Sequence, residues 1–432
     1  MGSQRDGVDQ RTPDRLFVRT VPVSDPGDLI GRLPEPDALA WVRRGEGLAG
    51  WGTAARITLP AGHDRFTAGE KWLREVFDGA IVADDVGVPG SGPVAFGSFT
   101  FDPASDGSVL VIPRAVLGRR DGRAWLTTMD ADSGQGTASR GDPGPTDPAG
   151  IVPRATPDGV TWADGALTAP QWEQAVASAV AAISVGALRK VVLARDLNAT
   201  AAGQIDARVL LSRLAASYPD CYTFACAGLV GSTPELLIRR EGSAVHSLVL
   251  AGTAARGGTD SADEVLGATL LGSAKDRDEH FYAVADVRTA LQPLCANLRV
   301  QPRPALLRLA NVQHLATAVD GELAAGDSAA WSALALAAAL HPTAAVCGTP
   351  AESAMELIRE LEGMDRGRYS GPVGWVDARG NGEWGIALRC GQLDGRHARL
   401  FAGCGIVAGS DPAAELAEAQ AKFRPMRHAL EG

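Results

Sequence analysis

The segment FAGCGIVAGSDPAAELAEAQAKF, residues 401–423, changes pattern in its middle. Its first part continues an apolar run from Ala398 and reads as a strand. Gly403 and Gly405 in that run permit close backbone approach to an anionic ligand. The second part reads as a helix over 411–426, with Asp411 as N-cap and Pro412 at the first helical position. Glu415, Glu418 and Lys422 fall at i, i+3 and i+7 and share one helix face. The plain reading of that face is a solvated stripe with a Glu418–Lys422 ion pair. The functional reading is a carboxylate set that holds a hard cation together with acids from a second helix.

Working outward, strands and helices alternate without a regular βαβ rhythm. Strands are predicted over 55–59, 94–101, 108–112, 190–194, 223–229, 235–239, 246–250, 374–376, 385–389 and 398–402. Helices are predicted over 68–77, from Thr168 onward, and over 206–218, 273–294 and 331–339. No glycine-rich dinucleotide or phosphate loop joins a strand to a helix, and no internal repeat is present. The pattern implies a mixed α/β or α+β sandwich. A Gly-, Ser-, Pro- and Asp-rich stretch at 130–150 reads as a flexible loop between a first part, 17–129, and a larger second part. Residues 1–16 read as a mobile tail.

The 432 residues carry a net charge of −10, against a nucleic-acid binder held by a basic surface. The longest apolar run falls well short of the roughly 18–20 residues a transmembrane helix needs. The N-terminus has neither a signal-peptide core nor a myristoylation pattern. Six cysteines form no Cys-x-x-Cys pair, so buried free thiols in a reducing cytoplasm are expected. Of 41 basic residues only four are lysines: Lys71, Lys190, Lys275 and Lys422. A lysine kept against that bias suggests a task arginine cannot do, because only lysine readily gives up its proton.

Four local features carry chemistry. Lys190 heads the β-branched run KVVLAR, where an edge lysine guarding against strand pairing is the plain alternative to a buried base. Glu235 follows Pro234 in STPELL, and is either a turn acid paired with Arg239 or Arg240, or a buried acid with a raised pKa. Lys275–His280 (KDRDEH) opens a helix, where acids suit the N-terminal dipole, unless one carboxylate turns inward to a cation. Leu250–Thr253 ends a strand with a hydroxyl and backbone amides, and Arg389 and Tyr369 could clamp a carboxylate.

Taken together, these blocks resemble the chorismate-utilising enzymes: isochorismate synthases, salicylate synthases, and the large subunits of anthranilate and aminodeoxychorismate synthases. The resemblance spans 167–428. It is carried by KVVLAR, STPELL, LAGTAARG, KDRDEH, VQHL, HPTAAVCGTP, GRYSGPVGW, GNGEWGIALRC and the 401–423 segment. WVRRGEGLAGWG and AFGSFTFD extend it more weakly into the first part. The resemblance implies one large α/β (α+β) domain of two stacked antiparallel β-sheets surrounded by helices, with 17–129 and 167–428 in one compact unit. It implies Mg²⁺ as cofactor and chorismate as substrate. By position, Lys190 is similar to the base that activates water and Glu235 to the acid that protonates the leaving C4 hydroxyl. Glu279 and Glu418 resemble the Mg²⁺ ligands, with Glu415 beside them. Gly252, Thr253, His314, Tyr369, Arg389, Gly403, Gly405, Glu415 and Lys422 resemble the substrate contacts.

Within the family, the ammonia-using synthases usually carry glutamine where Lys190 stands, and aminodeoxychorismate synthases a lysine in place of Ala251. The HPTAAVCGTP and GNGEWGIALRC blocks look more like isochorismate synthases than salicylate synthases. The expectation is an isochorismate synthase, an isomerase that is cytoplasmic, monomeric and independent of nucleic acid or membrane. It would feed menaquinone or siderophore biosynthesis. Salicylate synthase and a non-catalytic chorismate-binding subunit are the alternatives.

Overall fold

The computed structural model describes residues 13, 15–131, 154–310, 312–326 and 331–432; the tail expected at 1–16 and the loop expected at 130–150 lie largely outside them. Among the described residues, 13 strands form one sheet and 10 form the other. The strand Lys190–Thr200 lies inside the first sheet, paired with Thr161–Asp164 on one side and His397–Ile406 on the other. The short strand Gly348–Thr349 pairs with its start, so Lys190 is not on a free edge. In the second sheet, Ala244–Ala255 lies between Leu236–Glu241 and Val312–Leu323. The pairings are antiparallel, with the exception of Leu16–Pro22 beside Ile81–Asp84.

Both sheets run through both parts of the sequence. Leu39–Arg43 pairs with Tyr222–Cys226 in the first sheet, and Val94–Ser98 pairs with Pro372–Asp377 in the second. The early strands therefore extend sheets that the later residues build. Helices Ala169–Ser184, Ala207–Ser217 and Pro412–Glu431 pack on the first sheet, and Ala274–Leu291 and Ala333–Leu340 on the second. Trp41, Phe96, Phe99, Trp172, Phe224 and Trp384 are buried in the core.

Helix starts follow local chemistry. Asp411 accepts from the Ala414 amide at 2.8 Å, and Ser273 accepts from the Asp276 amide at 3.2 Å. A Thr168–Gln171 capping box opens Ala169–Ser184. Three predicted strands need correction, the first being the run 94–101, which ends at Ser98. The run 223–229 is two strands, Tyr222–Cys226 and Leu229–Thr233, because Ala227 and Gly228 turn with φ 48° and 80°. The run 385–389 ends at Ile386, and Arg389 takes a left-handed φ of 47°. The helices Asp260–Gly272 and Ala351–Leu361 carry no expectation from the sequence patterns above. Among the described residues, no helix is long and apolar enough to cross a membrane.

Candidate active site

A narrow cleft opens between the two sheets. The first sheet supplies Val192, Gly403 and Gly405, and the second supplies Leu250, Ala251, Gly252, Thr253 and His314. Helix Ala274–Leu291 contributes Lys275, Asp276 and Glu279, and helix Pro412–Glu431 contributes Glu418 and Lys422. Glu235, Tyr369 and Arg389 complete the wall from loops at strand ends. Most of the predicted site residues thus converge from positions far apart in sequence.

Two do not line the cleft. Lys190 stands one layer back, fully buried, with Nζ 3.1 Å from Glu279 Oε1 and no hydrogen-bond partner among the described residues. Glu415 turns instead to Lys275, whose Nζ donates to its Oε1 at 2.8 Å. The plain reading of Lys190 as an edge guard is excluded by its burial.

Gly405 makes the Lys190–Glu279 contact possible. A Cβ at position 405 would fall 2.3 Å from Glu279 Oε1 and 3.1 Å from Lys190 Cε. At Gly403, a Cβ would come 3.2 Å from Tyr369 Oη. Tyr369 is buried and stacks on Phe401 with ring centroids 5.0 Å apart; burial pushes its phenol up to about 12. Gly252 takes φ +76° at a β-bulge between Ala251 and Thr253. The bulge presents the Thr253 hydroxyl to His314 Nδ1 at 3.1 Å.

Electrostatics separates the acids. Glu235 is 6% exposed, and burial pushes its pKa up to about 8 against the pull of Lys190, Arg389 and Lys422. Arg239 goes to Glu383 at 3.1 Å and Arg240 to the Gly242 and Gly380 carbonyls, so neither neutralises Glu235. Burial alone would raise Glu418, but Lys422 at 2.6 Å, helped by Lys275 and Arg389, holds it below the usual carboxylate range. Lys422 also donates to the Gly403 carbonyl at 2.9 Å. Asp276 is raised by burial and by the charges of Glu279 and Glu418. His314 is pressed down to about 3 by burial and by Arg389 and Lys422, which leaves a neutral imidazole.

The donor set suits a hard cation. Glu279, Glu418 and Asp276 face the cleft, and the Glu415 and Glu418 carboxylates and Cys404 Sγ lie within 4.8 Å of one another. Oxygen-rich, anionic and partly open to substrate, the group fits Mg²⁺ rather than a soft metal. All six cysteines are free and buried, and burial drives the Cys404 thiol well above its ordinary pKa, a poor thiolate ligand.

Several wall residues were not singled out from the sequence, among them Ser370, Leu388 and Val346. One signal was available for a further member: Lys275 is one of four lysines. Backbone geometry is a second. Ser370 and Arg389 have φ of 63° and 47°, unusual for non-glycine residues, and both border the cleft.

Residues 34–431 match the family model described as chorismate binding enzyme. The isochorismate synthase DhbC of Bacillus subtilis is 42% identical over 270 residues, 60% of this chain and 67% of that one. The isochorismate synthase MenF of the same organism is 36% identical over 372 residues, 79% of this chain and 75% of that one. Among solved structures, the menaquinone-specific isochorismate synthase MenF of Escherichia coli superposes with a TM-score of 0.76 at 26% identity, covering 98% of this chain and 96% of that one.

Proposed function

The chain belongs to the chorismate-binding enzyme family, and from that premise we propose that it is an isochorismate synthase, adding water at C2 of chorismate and releasing hydroxide from C4. The observation that carries this reading is the pairing of Lys190 with Glu235. One is a buried lysine on the first sheet. The other is a buried carboxyl, raised to about 8, at a strand end of the second. Glu235 lines the cleft, and Lys190 lies just behind its wall against Glu279, which does line it.

Lys190 takes the proton from the attacking water, and Glu235, still protonated at neutral pH, gives one to the leaving hydroxyl. Arg389, Lys422, Thr253 and Tyr369 orient the dianionic substrate by charge and hydrogen bonds. Gly252, Gly403 and Gly405 keep the wall clear for it, and the neutral His314 holds Thr253. Glu279 and Glu418, with Glu415 beside them, hold Mg²⁺, which when bound supplies positive charge to the substrate carboxylate.

Ala251 leaves no lysine nucleophile at that position, and Lys190 supplies a base suited to water; both favour water over ammonia. The free, buried thiols accord with a reducing cytoplasm, where a monomer would feed menaquinone or siderophore synthesis. Product chromatography from purified protein, chorismate and Mg²⁺ tests the reading. Isochorismate is expected; salicylate with pyruvate, an amino product, or no turnover would overturn it.

A further inference from the structure

Three of the chain's four lysines each meet a different carboxylate, two that line the cleft and one, Glu415, just behind it. Lys190 meets Glu279 at 3.1 Å, Lys422 meets Glu418 at 2.6 Å, and Lys275 meets Glu415 at 2.8 Å. They are not anchored alike. Lys190 is fully buried in its strand. The Lys422 side chain is 11% exposed, and its Nζ is held by the Gly403 carbonyl as well. The Lys275 side chain is 39% exposed, sits in the first turn of its helix, and has Glu415 as its one hydrogen-bond partner among the described residues.

Glu415 is placed differently from its partner. Its side chain is 3% exposed, and its carboxylate lies within 4.8 Å of that of Glu418. Burial and the Glu418 charge push the Glu415 pKa up, so the carboxylate stays charged there only with a positive partner beside it. Lys275 supplies it here. Asp276 and Glu279 from the same helix, and Glu418 from the facing one, add to the negative field that holds the ammonium in place.

We propose that Lys275 is a displaceable counter-ion: it neutralises Glu415 while the cleft holds no divalent cation and yields that carboxylate when one enters. The inference rests on the cation reading above. The part-exposed Lys275 stem leaves the ammonium room to turn toward the cleft mouth, whereas Lys190 is fully enclosed and Lys422 is held by both Glu418 and the Gly403 carbonyl. Lys275 is thus a positioning residue acting through Glu415, and it makes cation binding in the absence of substrate weaker than the carboxylates alone would give.

The test is binding of Mn²⁺ alone to the full chain, read by the electron paramagnetic resonance of free Mn²⁺. Lys275→Met should bind Mn²⁺ about tenfold more tightly than the parent, and Lys275→Arg should stay near the parent. Equal or weaker binding by Lys275→Met overturns the proposal, because a lysine that merely held Glu415 in place would support the site. A second measurement needs no folded methionine variant. With lysine labelled at ¹³Cε, the four lysines give four signals, and the one missing in Lys275→Arg should shift as Mg²⁺ is added to the parent. A Lys275 signal that stays still while Mg²⁺ binds overturns this proposal alone. Absence of any cation binding overturns it together with the metal role, whereas failure to make isochorismate bears only on the assigned reaction.

Discussion

Glu279 Oε1 lies 3.1 Å from Lys190 Nζ across the bare backbone of Gly405. The contact joins a helix acid to a strand lysine over a residue whose missing side chain is the space they use. It sets up the first prediction. Gly405→Ala would place a methyl 2.3 Å from the Glu279 oxygen and force the two apart. Turnover should fall about 100-fold, the scale of a 1 Å misplacement of catalytic groups, while circular dichroism stays that of the parent. Near-parental kcat in a folded variant would contradict the account.

Lys190 is fully buried and has no hydrogen-bond partner among the described residues. Lys190→Ala should lower kcat by about 100-fold or more, the usual contribution of a positioned base. Chorismate binding, followed by calorimetry, should survive. A variant that keeps most of its turnover removes Lys190 from the reaction.

Glu235 should impose a falling limb on activity. With its pKa raised to about 8, it is protonated at neutral pH and loses that proton above pH 8, so kcat/KM should decline there. The stability effect has the same direction. Between the ordinary pKa of 4.5 and about 8 the folded state keeps a proton that the unfolded chain releases. Stability is therefore full below pH 4.5 and is lost as pH rises through 8, by on the order of 5 kcal/mol. Glu235→Gln should abolish turnover and flatten this loss. Urea melts of both proteins at pH 5 and pH 9 measure it, and parallel curves would refute the assignment.

His314, pressed down to about 3, should not titrate between pH 5 and 8. Its stabilising effect is present above pH 6.5 and is lost as pH falls toward 3, the reverse of the Glu235 case. The imidazole Cε1–H signal in NMR should stay fixed over that range. A midpoint near 6.5 would show that the ring is exposed to water.

Glu279 and Glu418 come from separate helices and face one cleft. EDTA should remove nearly all turnover, and added Mg²⁺ should restore it. Glu279→Gln and Glu418→Gln should each raise the Mg²⁺ concentration needed for half-maximal rate by about tenfold or more. Full activity in EDTA would eliminate the metal role.

Much of the architecture was readable locally. Asp411 and Pro412 mark a helix start because capping and a proline-locked φ act within one turn. The Glu415–Glu418–Lys422 face follows from helical period, and the Glu418–Lys422 pair formed as that spacing implies. The turn at Ala227 and Gly228 was missed because an apolar run hides a left-handed pair whose conformation only the returning strand reveals.

The sequence by itself determined which residues carry charge, where helices begin, and which lysines survived the arginine bias. It placed Lys190 in a strand and Glu415 on the face of Glu418. The tertiary structure decided partners. Lys275 meets Glu415 from 140 positions away, and Lys190, on a strand of the first sheet, meets Glu279 on a helix packed against the second. Ion pairs depend on distance in space and on burial, and both are set by how the sheets stack. That is why Glu415 faces a lysine rather than the cleft, and why Glu235, with its nearby arginines engaged elsewhere, keeps its proton.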